Sequence, residues 1–326
     1  MAIDLVELLG ADGARRSADV VEVVGPASVT RWVRHGRLLR PLPGVLVLPS
    51  RAGTWRTRAA AATLWTGGRL CGRSALYLSD LVADPGPLVH VAVGPARHVA
   101  VARPDWLRVH VGPAPSGPVA QGLPITADVD SLLTAWGHAH ARRGTPREVE
   151  VARGAVIGAC RRKRVAVDHL QEELAARSRL PARRALGHLL EQIARGCQSE
   201  FEIWGLTELL DVPGLPPVQL QYALQTAIGT VHLDAVIEEV QLGIELDGAA
   251  YHRSPDNWAR DRRRDSAVLA RGWVTLRIDH ARAHRDPPAT QEEITRAHWA
   301  RKATLIARPP QQRAVDGRSS IILPPK

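Results

Sequence analysis

The chain has 326 residues, with 43 basic against 33 acidic side chains, a net charge of +10 and a pI of about 10.6. That length admits two or three domains with proper cores, and that charge favours a polyanionic partner. The three cysteines, Cys71, Cys160 and Cys197, are odd in number, widely spaced and without a C-x-x-C pair, which excludes a disulfide framework and a structural zinc site and fits the reducing cytoplasm.

Only Lys163, Lys302 and Lys326 are lysines, so 40 of the basic residues are arginine. Arginine suits phosphate because its planar fork binds two oxygens at once. The same excess, in an alanine-rich chain with one Met and one Phe, is also explained by GC-rich codon usage. The opening MAIDLVELLGADGARR lacks a basic segment leading into a long apolar run, and no run reaches the length of a membrane span. A soluble protein with no membrane partner is expected.

In chain order, Ile3 to Leu9 predicts a short amphipathic helix ended by Gly10. Ser17 caps a second helix through Val24, Gly25-Pro26 makes a turn, and Ser28 caps a third. On a 3.6-residue period Val29, Trp32, Val33 and Gly36 share one face, leaving Thr30, Arg31, Arg34 and His35 on the other. RLLRPLPGVLVLP, residues 37–49, then reads as a β-ribbon with a Pro-Gly turn, so residues 1–54 form a winged helix-turn-helix domain. Arg31, Arg34, His35, Arg37 and Arg40 are its DNA-binding candidates; the plainer reading makes them a solvated face on a domain for protein contacts. With R-H-G-R-L-x-R…P-G-V at residues 34–45, this segment resembles the N-terminal domain of abortive-infection type IV antitoxins. The resemblance implies DNA binding and, as an open alternative, a toxin or other defence partner.

Residues 55–190 read as an α+β and helical middle region. WRTRAAAATLWTGGRLCGRSALYLSDL is helix, Gly-rich turn, helix; LVHVAV (88–93) and LRVHV (107–111) alternate as paired strands; Thr126 caps a helix; residues 145–190 are helical throughout. The antitoxin-like proteins carry such a region, and it suggests no chemistry. His90 and His110 are expected to be ordinary surface or half-buried histidines, with a metal pair as the less favoured reading.

The domain expected at residues 191–308 holds the densest chemistry. SEFEIWGLTELL (199–210) is an apolar-periodic helix carrying Glu200 and Glu202, and PVQLQYAL (217–224) alternates as a strand. Residues 231–237 and 241–247 come next as an antiparallel pair joined by a tight polar link. Side chains alternate along a strand, so Leu242, Ile244 and Leu246 point one way while Glu245 and Asp247 point toward Asp234. Three clustered carboxylates repel each other, and a divalent cation is the natural neutraliser. NWARDRRRDSAVLARG (257–272) then reads as a helix closed by Gly272, WVTLRI as a further strand, and the tail from residue 309 to 326, rich in Pro, Gln and Arg, as disordered.

The order helix, strand, strand, strand, helix, strand resembles the restriction-endonuclease-like superfamily (PD-(D/E)xK), here with an αβββαβ core in an α/β multidomain chain. Within it the likeness is to the domain related to very-short-patch-repair endonucleases. An E-x-D-G…H strand end falls at Glu245-Leu246-Asp247-Gly248…His252, a D-R-x-R-D helix at Asp261 to Asp265, and G-W-x-x-L-R at Gly272 to Arg277. The likeness covers about residues 195 to 285. It implies that Asp234 and Glu245, with the Leu246 carbonyl, hold Mg²⁺ or Mn²⁺, and that Glu202 holds a metal-bound water or second ion, with Glu200 as its rival. The family lysine position is Asp247, a carboxylate that cannot polarise the attacking water, and His252 is the matching base. Asp261, Asp265 and Arg264 are expected to support the site, with the acids orienting His252 or a water and Arg264 and Arg260 gripping phosphate; plain ion pairing on the helix surface is the equal alternative. The activity implied is a Mg²⁺-dependent DNA endonuclease in repair, restriction or phage defence. The alternative is a catalytically inert DNA-binding regulator that keeps the nuclease fold, and homodimerisation is left open.

Overall fold

The structure is a computed structural model that describes residues 3–96, 103–197, 199–247 and 255–307, with backbone alone for 206–208 and 255–259. By Cα packing the chain divides into two compact units, residues 1–190 and residues 191–326.

The first unit opens with α1 (Leu5–Leu9), β1 (Ala14–Arg16), α2 (Ser17–Val24), α3 (Pro26–Arg34), β2 (Leu39–Leu42) and β3 (Val45–Val47). The three strands form an antiparallel sheet in the order β1-β3-β2. α3 starts at Pro26 rather than after Ser28, which lies inside it. Proline's fixed φ suits the first helical position, and Gly25 turns the chain into it at φ +79°. α2 likewise begins at Ser17 with Arg16 in the capping position, so Ser17 is not the cap. Val20, Val29, Trp32, Leu38, Leu46 and Leu48 pack in one cluster with α1. β1 escapes a sequence reading because three residues are too few to show alternation.

The unit continues through α4 (Trp55–Thr66), β4 (Arg69–Leu70), α5 (Gly72–Leu78), β5 (Val89–Val93), β6 (Leu107–Val111), β7 (Val119–Ala120) and β8 (Leu123–Pro124). Leu42, Val45 and Val47 share a cluster with Ala59 to Ala62 of α4 and with β5, so residues 1–54 are packed directly onto α4 and β5. Asp12 adds polar ties: Arg56 Nε donates to its carboxylate at 2.6 Å and Thr57 Oγ1 to its carbonyl at 2.7 Å. The helices α6 (Asp128–Ala139), α7 (Pro146–Arg161), α8 (Val167–Ala176) and α9 (Arg183–Ala194) complete the series. Residues 145–190 are therefore three helices, broken where Lys163 adopts φ +55° and again before α9. α7 starts in a capping box in which Thr145 and Glu148 satisfy each other's backbone N–H groups. Ala127, not Thr126, sits in the capping position of α6; the Thr126 hydroxyl is buried 2.7 Å from Ser131 Oγ.

His90 departs from the expectation of a surface or half-buried histidine, while His110 is half-buried beside it. β5 and β6 run parallel, which sets both rings on one sheet face, where His138 of α6 meets them. His90 is 3% exposed, with Nδ1 3.0 Å from His110 Nε2, and its ring meets His138 edge-on at 4.5 Å. His138 Nε2 lies 3.5 Å from Glu148 Oε1. Burial foremost, then the neighbouring imidazoles and Arg108 and Arg73, holds His90 well below the usual histidine range; burial, then His138 and Arg108, brings His110 down to about 4. The unfolded chain takes up these protons near pH 6.5 while the folded chain refuses them until far lower. Stability present above pH 6.5 is therefore lost as pH falls toward 4. The expected outcome is a melting temperature that drops through this window, with a shallower drop for His110→Gln; equal slopes in a pH series of thermal melts would remove the histidines as its source.

The second unit contains α10 (Glu200–Glu208), β9 (Gln219–Thr226), β10 (Gly229–Ile237), a 3₁₀ turn at Glu238–Val240, β11 (Leu242–Asp247), α11 (Pro255–Ala270), β12 (Val274–Asp279), α12 (His280–Arg285) and α13 (Pro287–Ala307). The sheet order is β12-β11-β10-β9, antiparallel except for β11 and β12, which run parallel with α11 as their crossover. Leu242, Ile244 and Leu246 pack with Ala235, Ile237, Phe201 of α10 and Ile294 of α13. Leu224, Leu233, Val236 and Trp273 pack with Val268 of α11. The sheet thus lies between helices on both faces, and the alternation along β11 sends Glu245 toward α11. The tail at 309–326, expected to be disordered, lies outside the described residues.

Candidate active site

The site forms where the β10–β11 ladder stops. Backbone pairing runs Ile237–Leu242, Val236–Gly243 and Ala235–Ile244, and the next step would place Asp234 across from Glu245. There the side chain takes over from the backbone: Leu246 N–H donates to Asp234 Oδ2 at 2.9 Å. β10 is irregular at this point. Leu233 and Val236 both belong to the α11-side cluster while Ala235 and Ile237 belong to the other, so the alternation shifts across Asp234. On β9 the residue that the register sets beside Asp234 is Gln221, a non-glycine at φ +49°. That left-handed backbone is uncommon for a residue in a strand.

Polar ties extend outward from Asp234. Gln221 hydrogen-bonds it and also donates from Nε2 to Glu202 Oε2 at 3.2 Å. Glu202 Oε1 accepts from Ser199 Oγ at 2.8 Å and its own N–H donates to Ser199, which caps α10. Glu202 is therefore a capping residue linked through Gln221 to Asp234. Glu200, its rival, is exposed.

On the other side stands α11. Arg264 Nη2 donates to Glu245 Oε1 at 2.8 Å and Nη1 to Oε2 at 3.2 Å, while Nη2 also reaches the His232 carbonyl. Glu245 is 5% exposed. Arg277, paired with Glu245 across the parallel ladder, donates to Asp265 Oδ1 at 2.9 Å and to Asp247 Oδ1 at 3.4 Å.

These contacts give Glu245 and Asp247 of the expected acid trio their own partners. Among the described residues no three His, Cys, Asp or Glu side chains gather into a metal-sized set. Glu245 and Asp247 each face an arginine, because α11 and β12 deliver Arg264 and Arg277 to the same sheet face. Arg264 grips the Glu245 carboxylate and not open solvent. Asp265 holds Arg277, Asp261 is half-buried, Arg260 is exposed, and His252 lies outside the described residues. Arg277 and Gln221 are the site residues that sequence reasoning misses. For Arg277 the one available signal is its place in the G-W-x-x-L-R motif; nothing in the sequence marks Gln221.

Electrostatics still leave the acids short of compensation. Burial first, then repulsion from Asp234, pushes Glu245 up to about 7 against the pull of Arg264 and Arg277. Asp234 is raised as well, burial outweighing the Leu246 N–H bond and Arg264, with Asp247 adding repulsion. A buried and a half-buried carboxylate side by side, both with raised proton affinity, are hard oxygen donors that fit a divalent cation; Mg²⁺ characteristically uses one or two carboxylates and keeps several waters.

In the first unit, Arg31, Arg34 and His35 at the end of α3 and Arg37 and Arg40 beyond it are all exposed. His35 Nδ1 lies 2.7 Å from the Arg31 carbonyl, and the Arg37 guanidinium sits 5.9 Å over Trp32.

The family model REase_MTES_1575, of restriction-endonuclease-like type, matches residues 218–297, the stretch from β9 into α13. No curated protein matches the chain in sequence. The crystal structure of the Rv2827c protein from Mycobacterium tuberculosis is similar over 56% of this chain and 70% of that one, at 13% identity and a TM-score of 0.36. At that level the likeness carries no argument. None of the described helices is long and apolar enough to cross a membrane.

The raised Glu245 carboxyl has a measurable consequence without metal. Its folded pKa lies above the unfolded 4.5, so its contribution to stability is full below pH 4.5 and is lost as pH rises through about 7. In EDTA at pH 8, Glu245→Gln should melt higher than the parent by the equivalent of about 1 kcal/mol, with the gap closing in acid. A lower melting temperature for Glu245→Gln at pH 8 would show that the Arg264 pair outweighs the repulsion.

Proposed function

We propose that the protein is a divalent-metal-dependent DNA endonuclease whose first residues form a DNA-binding winged helix. The observation that carries this reading is the pair of half-buried Asp234 and buried Glu245 at the strand divergence, both with raised proton affinity. Its support is the family match over residues 218–297 and the α10-β9-β10-β11-α11-β12 order, which agrees with a restriction-endonuclease-like core.

Asp234 and Glu245, with the Leu246 carbonyl, would hold Mg²⁺ or Mn²⁺, which when bound supplies a Lewis acid for the scissile phosphate and an acidified water. The chain's own residues do the rest. Ser199, Glu202 and Gln221 keep Asp234 oriented, and Leu246 N–H holds one of its oxygens. Asp247 occupies the position of the family lysine and is neutralised by Arg277, so a cationic group still stands at that end of β11. His252, five residues beyond Asp247, is the proposed base, since a free pKa of about 6.5 suits proton transfer near neutrality. Asp261 is proposed as a supporting residue.

The winged-helix reading rests on the order α1-β1-α2-α3-β2-β3 and on the exposed arginines of α3 and β2, a basic surface of the kind that meets phosphate and base edges in a groove. Its setting, in repair, restriction or phage defence, with or without a toxin partner or a second copy, is part of the proposal. One observation favours the second reading, an inert DNA-binding regulator: Arg264 already neutralises Glu245 as a cation would.

Plasmid nicking decides between them. Cleavage is expected with Mg²⁺ or Mn²⁺ and none in EDTA, with Asp234→Ala and Glu245→Ala each lowering the rate by about 10²-fold or more while circular dichroism stays unchanged. Cleavage that persists in EDTA or in Asp234→Ala would sink the site. His252→Ala should slow cleavage with DNA affinity retained, and wild-type activity should fall below about pH 6.5.

For the first unit, Arg31→Ala and Arg34→Ala should weaken duplex binding and flatten its salt dependence by about one counterion per lost phosphate contact. A salt titration in which both variants track wild type would assign that face to something other than DNA.

A further inference from the structure

Arg264 makes two demands on one carboxylate. Both Glu245 oxygens accept from it, at 2.8 and 3.2 Å, in the fork geometry that guanidinium and carboxylate share. A hard cation coordinates through the same two oxygens and sets its positive charge beside the guanidinium, so the two partners compete for Glu245. The side chain that loses its partner stays tethered to α11, where Arg260 and Arg263 are exposed nearby. Resting on the reading of Asp234 and Glu245 as a cation site, we propose that Arg264 is an internal stand-in for the cation, released by metal binding to grip a DNA phosphate, so that metal and DNA binding are coupled through one side chain.

The geometry supports exchange rather than a fixed strut. Arg264 is 28% exposed at its side chain against 7% for Glu245, so the guanidinium lies at the outer edge of the pair and can leave without unpacking the sheet. The apolar anchor of α11 is separate: Val268 packs with Leu233, Val236 and Trp273. Asp265, the adjacent residue, remains on Arg277 and keeps the helix in register when Arg264 departs. Releasing the arginine exposes a full positive charge beside a site that has just gained a cation, and a polyanion is the partner that lowers the cost of both. Coupling of this kind is reciprocal: DNA tightens the cation by the same factor that the cation tightens DNA.

The test uses the full chain, Ca²⁺ as the cation and a labelled duplex of mixed sequence, read by fluorescence anisotropy with Ca²⁺ uptake followed by calorimetry. Wild type should bind the duplex about tenfold more tightly in Ca²⁺ than in EDTA, as one charge-assisted contact supplies. The slope of log affinity against log salt should steepen by about 1. Glu245→Gln, with Arg264 freed in advance, should bind tightly in EDTA and ignore Ca²⁺. Arg264→Ala should bind weakly and ignore Ca²⁺, while taking up Ca²⁺ at least as well as wild type. Ca²⁺ that tightens DNA equally in wild type and Arg264→Ala bridges the phosphate directly and overturns the proposal. Wild type that takes up Ca²⁺ without any change in DNA affinity overturns it too, leaving the cation site itself intact. No Ca²⁺ uptake in wild type, or uptake that is unchanged in Asp234→Ala, overturns the cation site and the coupling together. Should Glu245→Gln fail to fold, wild type and Arg264→Ala decide alone.

Discussion

The second unit is organised around one electrostatic constraint, two carboxylates set side by side under a helix. Asp234 and Glu245 come from strands whose pairing stops at Ala235 and Ile244, and burial foremost, with repulsion from Asp247 on Asp234 and from Asp234 on Glu245, raises the proton affinity of both. A low-dielectric site that holds such a pair must supply compensating charge or hydrogen bonds. Each neighbouring feature answers that demand. The Leu246 N–H leaves the strand ladder for Asp234, Gln221 takes a left-handed backbone beside it, and Arg264 reaches down from α11 to Glu245.

The packing that surrounds this charge is apolar and divided between two faces. Leu242, Ile244 and Leu246 lie with α10 and α13 on one side, Leu233 and Val236 with Val268 and Trp273 on the other. At roughly 25 cal/mol per Å² of apolar surface, burial of this kind is what offsets the electrostatic cost of the acids. The crossover from β11 through α11 to parallel β12 then brings three charges to one sheet face: Arg264 and Asp265 from the helix, Arg277 from the strand. A buried ion pair is weak evidence for stability, since desolvation offsets most of its Coulombic gain. The network is better understood as a device that sets charge at the site, which is why a competing cation matters to it.

The first unit shows the same tension with a different solution. Three imidazoles from β5, β6 and α6 share a small space, and burial keeps His90 and His110 neutral. Where the second unit surrounds negative charge with arginine, this one keeps its two inner imidazoles uncharged. At the start of the chain the arginines after Trp32 stay in solvent, since the helix period gives the core only Val29, Trp32 and part of Val33.

Sequence alone makes legible whatever is written in a local period. The alternation of Leu242, Ile244 and Leu246 against Glu245, the order of elements from α10 to β12, the acids 234 and 245, and the outward side of α3 all come from spacings of two or about four residues. Short elements escape because a period needs length: β1 and β4 have three and two residues. Helix starts are misplaced where a proline or a backbone turn outranks a serine cap, as at Pro26. Contacts between distant segments lie beyond any such reading. That Glu245 meets Arg264, that Asp247 and Asp265 share Arg277, that Glu202 reaches Asp234 through Gln221, and that His90 lies against His110 and His138 depends on how helices cross a sheet. The chain determined which residues carry charge and which face of a strand they take. The tertiary structure decided which opposite charge arrived there, because pairing is set by the packing of the apolar faces.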